Sequence, residues 1–325
     1  MKAVLCKEYG PPEKLVYEDV PALKPAAGQV VVAVKAAGVN FPDTLIIQGK
    51  YQFKPEPPFS PGGEVAGIIK EIGEGVTGVK VGDRVIAAST FGGFAQEMLA
   101  DADKLIPMAD GMDFVPASGF VLTYGTSYHA LKDRAQLKPG ETLLVLGAAG
   151  GVGLSAIQIG KQMGARVIAA ASSAAKLDVC KRNGADELID YSSEDLRSRI
   201  KVITGGRGVD VVYDPVGGPY SEQALRDTAW KGRFLVVGFA AGDIPRIPLN
   251  LALLKGCSIV GVFWGAFTRN EQALNRRNNE ELMQMYTAGK IKPHIHATYP
   301  LSRAAEALNE VLSKRVSGKV VLTTE

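Results

Sequence analysis

The chain has 325 residues, with 37 Lys and Arg against 34 Asp and Glu, a net charge of +3. That length implies two compact domains, each with enough chain for its own core, and the near balance of charge gives no footprint for a nucleic-acid partner. The first residues run straight into a strand-like 2–6 segment followed by Glu8, without the apolar core of a signal peptide, and no apolar span of about eighteen residues follows. The expectation is a soluble, cytoplasmic protein with no membrane partner. Cys6, Cys180 and Cys257 are too scattered for a disulfide framework or a CxxC metal site and read as packed side chains.

In chain order, short apolar runs first alternate with Gly, Pro and Asp turns. Segments 30–34, 65–72, 84–88, 95–99 and 104–106 predict strands of a mostly-β barrel or sandwich. Near Tyr124 the grammar changes and strands begin to alternate with helices. Segments 143–146, 167–170, 187–189, 209–213, 234–237 and 259–263 predict six strands, with helices at 175–183, 195–204 and 221–229 between them. That rhythm fits a doubly wound parallel sheet of order 3-2-1-4-5-6. Beyond Phe267 the pattern predicts a long polar helix 271–288, a strand 294–299, a helix 303–313 and a last strand 319–322. The last strand has no βαβ partner and should return to the N-terminal β domain. The expected division is therefore 1–124 and 266–325 for the β-rich domain and 125–265 for the parallel-sheet domain.

The stretch TLLVLGAAGGVG, residues 142–153, is an apolar run breaking into small residues before a helix. A dinucleotide carries a doubly charged pyrophosphate, and a helix start offers unpaired N–H groups and partial positive charge to receive it. Ala148, Gly150 and Gly153 occupy the GxGxxG positions with alanine in place of the first glycine, and Gly151 and Val152 complete the loop. Gly153, Ala156, Ile157 and Gly160 then recur at helical spacing, a narrow face for close packing on a sheet. About twenty residues past the glycines, an acid would bind the ribose of NAD and repel a 2′-phosphate. This chain has Ser172 and Ser173 there, with Lys176 nearby, so NADPH is the expected cofactor. The alternative is that the serines cap the helix starting near Ala174 and Lys176 is solvated; both readings can hold at one helix end.

Together with GVNFPD (38–43), PGGEVAG (61–67), VKVGDRV (79–85) and TSYHAL (126–131), these features resemble the medium-chain dehydrogenase/reductase superfamily over essentially the whole chain, and within it the zinc-free quinone oxidoreductase branch. The resemblance implies an α/β protein with a GroES-like mostly-β catalytic domain and a doubly wound Rossmann domain. Zinc-dependent members have Cys where this chain has Asn40 and His where it has Gly63, and often a four-cysteine lobe that has no counterpart here. Loss of those ligands leaves no open tetrahedral site. His294 and His296 share a strand face but lack a third ligand, and Glu64 is expected to make a hydrogen bond.

Without a metal Lewis acid, the acceptor must itself be electrophilic, such as a quinone or conjugated carbonyl. The resemblance places Tyr51 beside the substrate as a hydrogen-bond donor or general acid, with an interface or loop aromatic as its alternative. It places Asn40 near nicotinamide and substrate, with helix capping as the alternative, and reads Asp43 as a helix-start charge. It sets Thr126 and Val152 by the nicotinamide and pyrophosphate, Tyr191 by the adenosine phosphate, Gly238 and Phe239 near the ribose, and Phe263 and Trp264 at the nicotinamide pocket, with a core position as the equal alternative for Trp264. Arg315 matches a position near the 2′-phosphate, though a solvated arginine is the plainer reading. A homodimer through the sixth Rossmann strand is also implied. Two other functions stay open at this point: an NADPH-dependent enone, enal or enoyl-thioester reductase, and a low-turnover cofactor-binding structural or RNA-binding protein.

Overall fold

The computed structural model describes residues 1–324. They form two compact units, Met1–Leu122 together with the C-terminal segment from Lys292, and Thr123–Ile291.

The first unit is organised by the strand Gln29–Val39, whose valine-rich sequence suits a pleated surface buried on both sides. One edge pairs with Glu64–Ile72, and the other is shared between Glu97–Asp101 along its first half and Lys319–Thr323 along its second. The C-terminal strand therefore returns to the β unit as expected, with Val320 opposite Val39 and Val321 opposite Gly38. Val30, Val32, Val65, Ile69, Leu308 and Leu322 are buried in the core of this unit. Two details differ from the expected elements. Residues Ala102–Lys104 form a 3-10 turn, leaving only Ile106–Pro107 as strand, and Val16–Asp19 forms an unforeseen strand against Lys2–Leu5. The latter carries VYED with no buried residue, so alternation of hydrophobicity could not disclose it.

The second unit holds a six-stranded parallel sheet. Its spatial order is Glu187–Asp190, Arg166–Ala171, Thr142–Leu146, Val209–Asp214, Thr228–Val236 and Ser258–Gly261, which is 3-2-1-4-5-6. Leu144, Leu146, Ile168, Ala170, Val212 and Phe234 pack between sheet and helices, each essentially inaccessible. Burying a large apolar side chain of this kind contributes about 1.5–3 kcal/mol. The helix foreseen at 221–229 runs instead from Pro219 to Arg226. Thr228 and Ala229 open the next strand, with the Thr228 hydroxyl bonded back to the Ala224 carbonyl. The sixth strand stops at Gly261 rather than at 263, and Phe263 occupies the N-cap position of a helix, Trp264–Asn270, that is not among the predicted elements.

The compact units also divide at Lys292 rather than at 266. The helix Gln272–Thr287 belongs to the second unit because its polar face is tied down: Asn278 Nδ2 donates to Asp133 Oδ2 at 2.8 Å, and Glu281 accepts from Lys132 and Tyr128. Those partners lie on or beside a π-helical turn, His129–Arg134. Among the described residues no helix is long and apolar enough to cross a membrane.

Candidate nucleotide site and a buried polar cluster

The fully buried strand Thr142–Leu146 delivers the chain into its turn at Gly147, whose φ of +56° favours glycine. Gly150 is the N-cap of the helix Gly151–Gln162. The two later glycines of the motif have different reasons. A Cβ on Gly153 would lie 2.6 Å from the carbonyl oxygens of both Gly147 and Ala148, so that glycine is needed by the fold itself. A Cβ on Gly150 would meet nothing closer than the Gly147 oxygen at 3.4 Å, an ordinary contact. The fold itself does not require glycine at 150. Further along, a Cβ on Gly160 would meet Leu143 Cδ2 at 2.7 Å, so the small-residue face does press on the first strand.

Beneath the turn lies a polar latch with no local sequence signal. The Ser127 hydroxyl is within 2.8 Å of both Ser155 Oγ and Tyr213 Oη, and 3.0 Å from the Val152 carbonyl. Ser155 also donates to Val152 and to Thr123. The helix segment carrying Thr126, itself buried, is thereby tied to the glycine turn. These residues come from three elements, so spacing along the chain could not join them.

At the end of the second strand, Ser173 caps the helix Ala174–Arg182, accepting from the Lys176 N–H at 3.4 Å. Lys176 Nζ donates to Ser172 Oγ at 2.9 Å, and Tyr191 bonds to the same serine. Capping thus coexists with a cluster of the Lys176 ammonium and the Ser172 and Tyr191 hydroxyls. Burial pulls the Lys176 ammonium below its ordinary pKa and pushes the Tyr191 phenol up to about 12, so Tyr191 is a donor at neutral pH. Its ring lies against Tyr220, centroids 4.4 Å apart, a neighbour that sequence reasoning missed. Asp214 was also missed. Buried at the end of the fourth strand, it accepts from the Val216 and Gly217 N–H groups and the Ser221 hydroxyl, shaping the turn opposite Gly238 and Phe239.

Phe263 is 53% exposed. The Trp264 indole rests on Gly125, its Nε1 buried without a hydrogen-bond partner. Arg315 is exposed, 3.8 Å from Glu310, in keeping with the solvated reading.

In the first unit, Asn40 heads the short helix Phe41–Ile46, and its N–H donates to Asp43 Oδ2 at 2.7 Å. Its side-chain amide turns inward: Oδ1 accepts from Lys319 Nζ at 2.6 Å, and Nδ2 donates to the Gly38 carbonyl at 3.3 Å. Glu64 Oε1 accepts the Leu122 N–H at 2.9 Å, which fulfils the hydrogen bond expected of it, while Oε2 stands 3.9 Å from Lys319 without a hydrogen-bond partner. Burial pushes Asp43 up to about 7, raises Glu64 and lowers Lys319; attraction between Lys319 and the two carboxylates opposes these shifts, while repulsion from Glu64 adds to that of Asp43. Tyr51 is half-buried against the core of this unit. At Gly63 a Cβ would start 3.0 Å from the Ser89 carbonyl. His296 is 3.6 Å from Glu310, and no group of three or more His, Cys, Asp or Glu that could hold a metal occurs among the described residues.

Two family models match the chain, an alcohol dehydrogenase GroES-like domain over residues 26–110 and a zinc-binding dehydrogenase over 151–279. The second match contains neither Asn40 nor Gly63, so its name says nothing of zinc here. The quinone oxidoreductase-like protein 2 homolog of Nematostella vectensis is 39% identical over 328 residues, spanning 100% of this chain and 89% of the relative. The chain belongs to the quinone oxidoreductase family. It is a zinc-independent quinone-oxidoreductase-like member of the medium-chain dehydrogenase/reductase superfamily, with Asn40 and Gly63 where zinc ligands stand in other branches. Among solved quinone oxidoreductases, the Escherichia coli protein, crystallised with NADPH, has a TM-score of 0.93 at 31% identity, covering 99% of this chain and 100% of that one. A probable oxidoreductase from Mycobacterium abscessus gives 0.90 at 40% identity, covering 99% of each.

Proposed function

We propose that this protein is an NADPH-dependent quinone oxidoreductase that reduces quinones or related conjugated carbonyls without a metal ion. The observation that carries this reading is the pairing, within one unit, of a glycine turn open at Gly150 with the Ser172, Lys176 and Tyr191 cluster and no acid among those three. NADPH when bound supplies the hydride. Gly151, Val152 and Gly153 receive the pyrophosphate with first-turn N–H groups that have no intrahelical acceptors, and Gly150, whose own N–H is bonded to the Gly147 carbonyl, gives room for its approach. Ser172, Ser173, Lys176 and Tyr191 hold the 2′-phosphate, Lys176 contributing charge and the hydroxyls direction. Thr126, Gly238, Phe239, Phe263 and Trp264 line the remainder.

Tyr51 donates to the oxygen on which charge develops, and Asn40 orients the reacting partners. An acceptor that is already electron-poor needs only this hydrogen-bonding assistance.

Steady-state NADPH oxidation with a panel of quinones and enones tests the reading. Turnover with quinones and a marked preference over NADH are expected; activity on enones alone would replace it with a double-bond reductase.

The protein also pairs with a second copy through its sixth strand. The outer edge of Ser258–Gly261 is unpaired, and Leu249, Leu253, Ile259 and Phe263 nearby are 77%, 77%, 39% and 53% exposed, an apolar strip that calls for cover. Sedimentation of wild type against Ile259→Asp distinguishes a dimer from a monomer.

A further inference from the structure

We propose that Lys319 is a positioning residue of the reductase site, its ammonium clamping the Asn40 amide in one orientation while balancing the carboxylates of Glu64 and Asp43. This rests on the reading of Asn40 as a group serving the reaction. Lysine is almost never fully buried unless paired, yet Lys319 is 5% exposed in the strand that closes the first unit. Its Nζ has two short bonds, to the Val39 carbonyl at 3.0 Å and to Asn40 Oδ1 at 2.6 Å.

An asparagine amide is nearly symmetric in shape but not in chemistry. An ammonium only donates, so it accepts the oxygen end of Asn40 and rejects the nitrogen end. Nδ2 is thereby turned to the Gly38 carbonyl and the Glu64 carboxylate. The backbone Val39 contact fixes Nζ itself, so the amide is referenced to the sheet rather than to a mobile side chain. Asp43 holds the same residue from the other direction through the Asn40 N–H.

The fold makes room for this lysine. A Cβ on Gly119 would lie 3.0 Å from Lys319 Cε and 3.2 Å from Cγ, so glycine there lets the stem pass. Buried ion pairs are poor devices for stability, because desolvation offsets most of their attraction. An apolar residue would fill this space at less cost, whereas only a cation both neutralises Glu64 and orients Asn40.

The test begins with wild-type NADPH oxidation by a quinone, then compares Lys319→Met/Glu64→Gln, which removes one charge of each sign. The double variant is expected to keep its NADPH Kd and quinone KM within about twofold while kcat falls on the order of 10²-fold, the effect of a misplaced reacting group. Adding Asn40→Ala to that background should then cost no more than about twofold further, because the orientation is already lost. A double variant with wild-type kcat, or losses that multiply when Asn40→Ala is added, overturns the proposal.

If the double variant does not fold, Gly119→Ala decides. It presses on the lysine stem and leaves every charge in place. A fall in kcat at constant KM supports the clamp, and an unchanged kcat refutes it. Should the wild-type protein oxidise no NADPH with quinones, the functional reading fails separately, and the clamp is judged by NMR of the Asn40 side-chain amide. Its resonances should shift in the double variant; if they do not move, the clamp is absent.

Discussion

Gly150→Ala separates the part of the glycine turn that folding requires from the part that binding requires. Gly150 has φ of −70° and ψ of 169°, values alanine adopts freely, and its new Cβ would sit 3.4 Å from the nearest atom outside its chain neighbours. Gly153→Ala would instead place a Cβ 2.6 Å from two carbonyl oxygens, well inside the 3.4–4 Å of ordinary contact. Overpacking of that severity costs about 1–3 kcal/mol, and each kcal/mol lowers Tm by roughly 2–4 °C in a unit of this size. Gly153→Ala should therefore melt lower with or without nucleotide. Gly150→Ala should leave the free protein within about 0.5 kcal/mol of wild type and meet the same steric cost only when pyrophosphate arrives. At about 1.4 kcal/mol per decade, that cost of 1–3 kcal/mol weakens NADPH binding roughly 5- to 150-fold. Calorimetric titration and scanning calorimetry read the two quantities. Wild-type NADPH affinity in Gly150→Ala would refute the docking of pyrophosphate on this turn.

Lys176→Ala removes one charge-assisted contact to the 2′-phosphate, worth about 1.5–3 kcal/mol, so the preference for NADPH over NADH should drop at least tenfold in kcat/KM; an unchanged ratio excludes Lys176. Tyr51→Phe should lower turnover with quinones by roughly 10²- to 10⁴-fold if the phenol is a general acid, and full activity with every acceptor would reduce it to packing. Asp43 has a folded-state pKa of about 7, above its unfolded value, so the folded state binds the proton more tightly. Its contribution to stability is present at low pH and is lost as pH rises from about 4 toward 7. Asp43→Asn should flatten the Tm-against-pH curve in that window, and parallel curves for variant and wild type would contradict the assignment.

The parallel sheet was legible because each strand and its following helix carry their own periodicity within a single βαβ unit, and the glycine turn because its chemistry is local. Boundaries failed where a side chain outside the pattern decided them, as at Thr228, whose hydroxyl returns to the Ala224 carbonyl. The helix 271–288 was foreseen but assigned to the wrong unit, since its anchors at Asp133, Lys132 and Tyr128 lie about 150 positions away. In the site, Ser172, Ser173 and Lys176 could be read from their distance past the glycines, whereas Tyr220, Asp214 and the Ser127 latch meet only in three dimensions. Lys319 was seen only as the start of a strand, because nothing in GKVVL announces that its lysine turns inward.

The sharing of one edge of Gln29–Val39 between an early strand and the chain's last one bears on synthesis. Thr123–Ile291 is a continuous stretch and can condense as soon as it has emerged from the ribosome, since domains generally fold as units. The flanking unit lacks Lys319–Thr323 until well after that stretch has been made, so half of an apolar edge waits uncovered and the lysine beside Glu64 arrives later still. Loss of Lys319–Thr323 would therefore strike the much earlier strand Gln29–Val39 rather than the residues next to it in sequence.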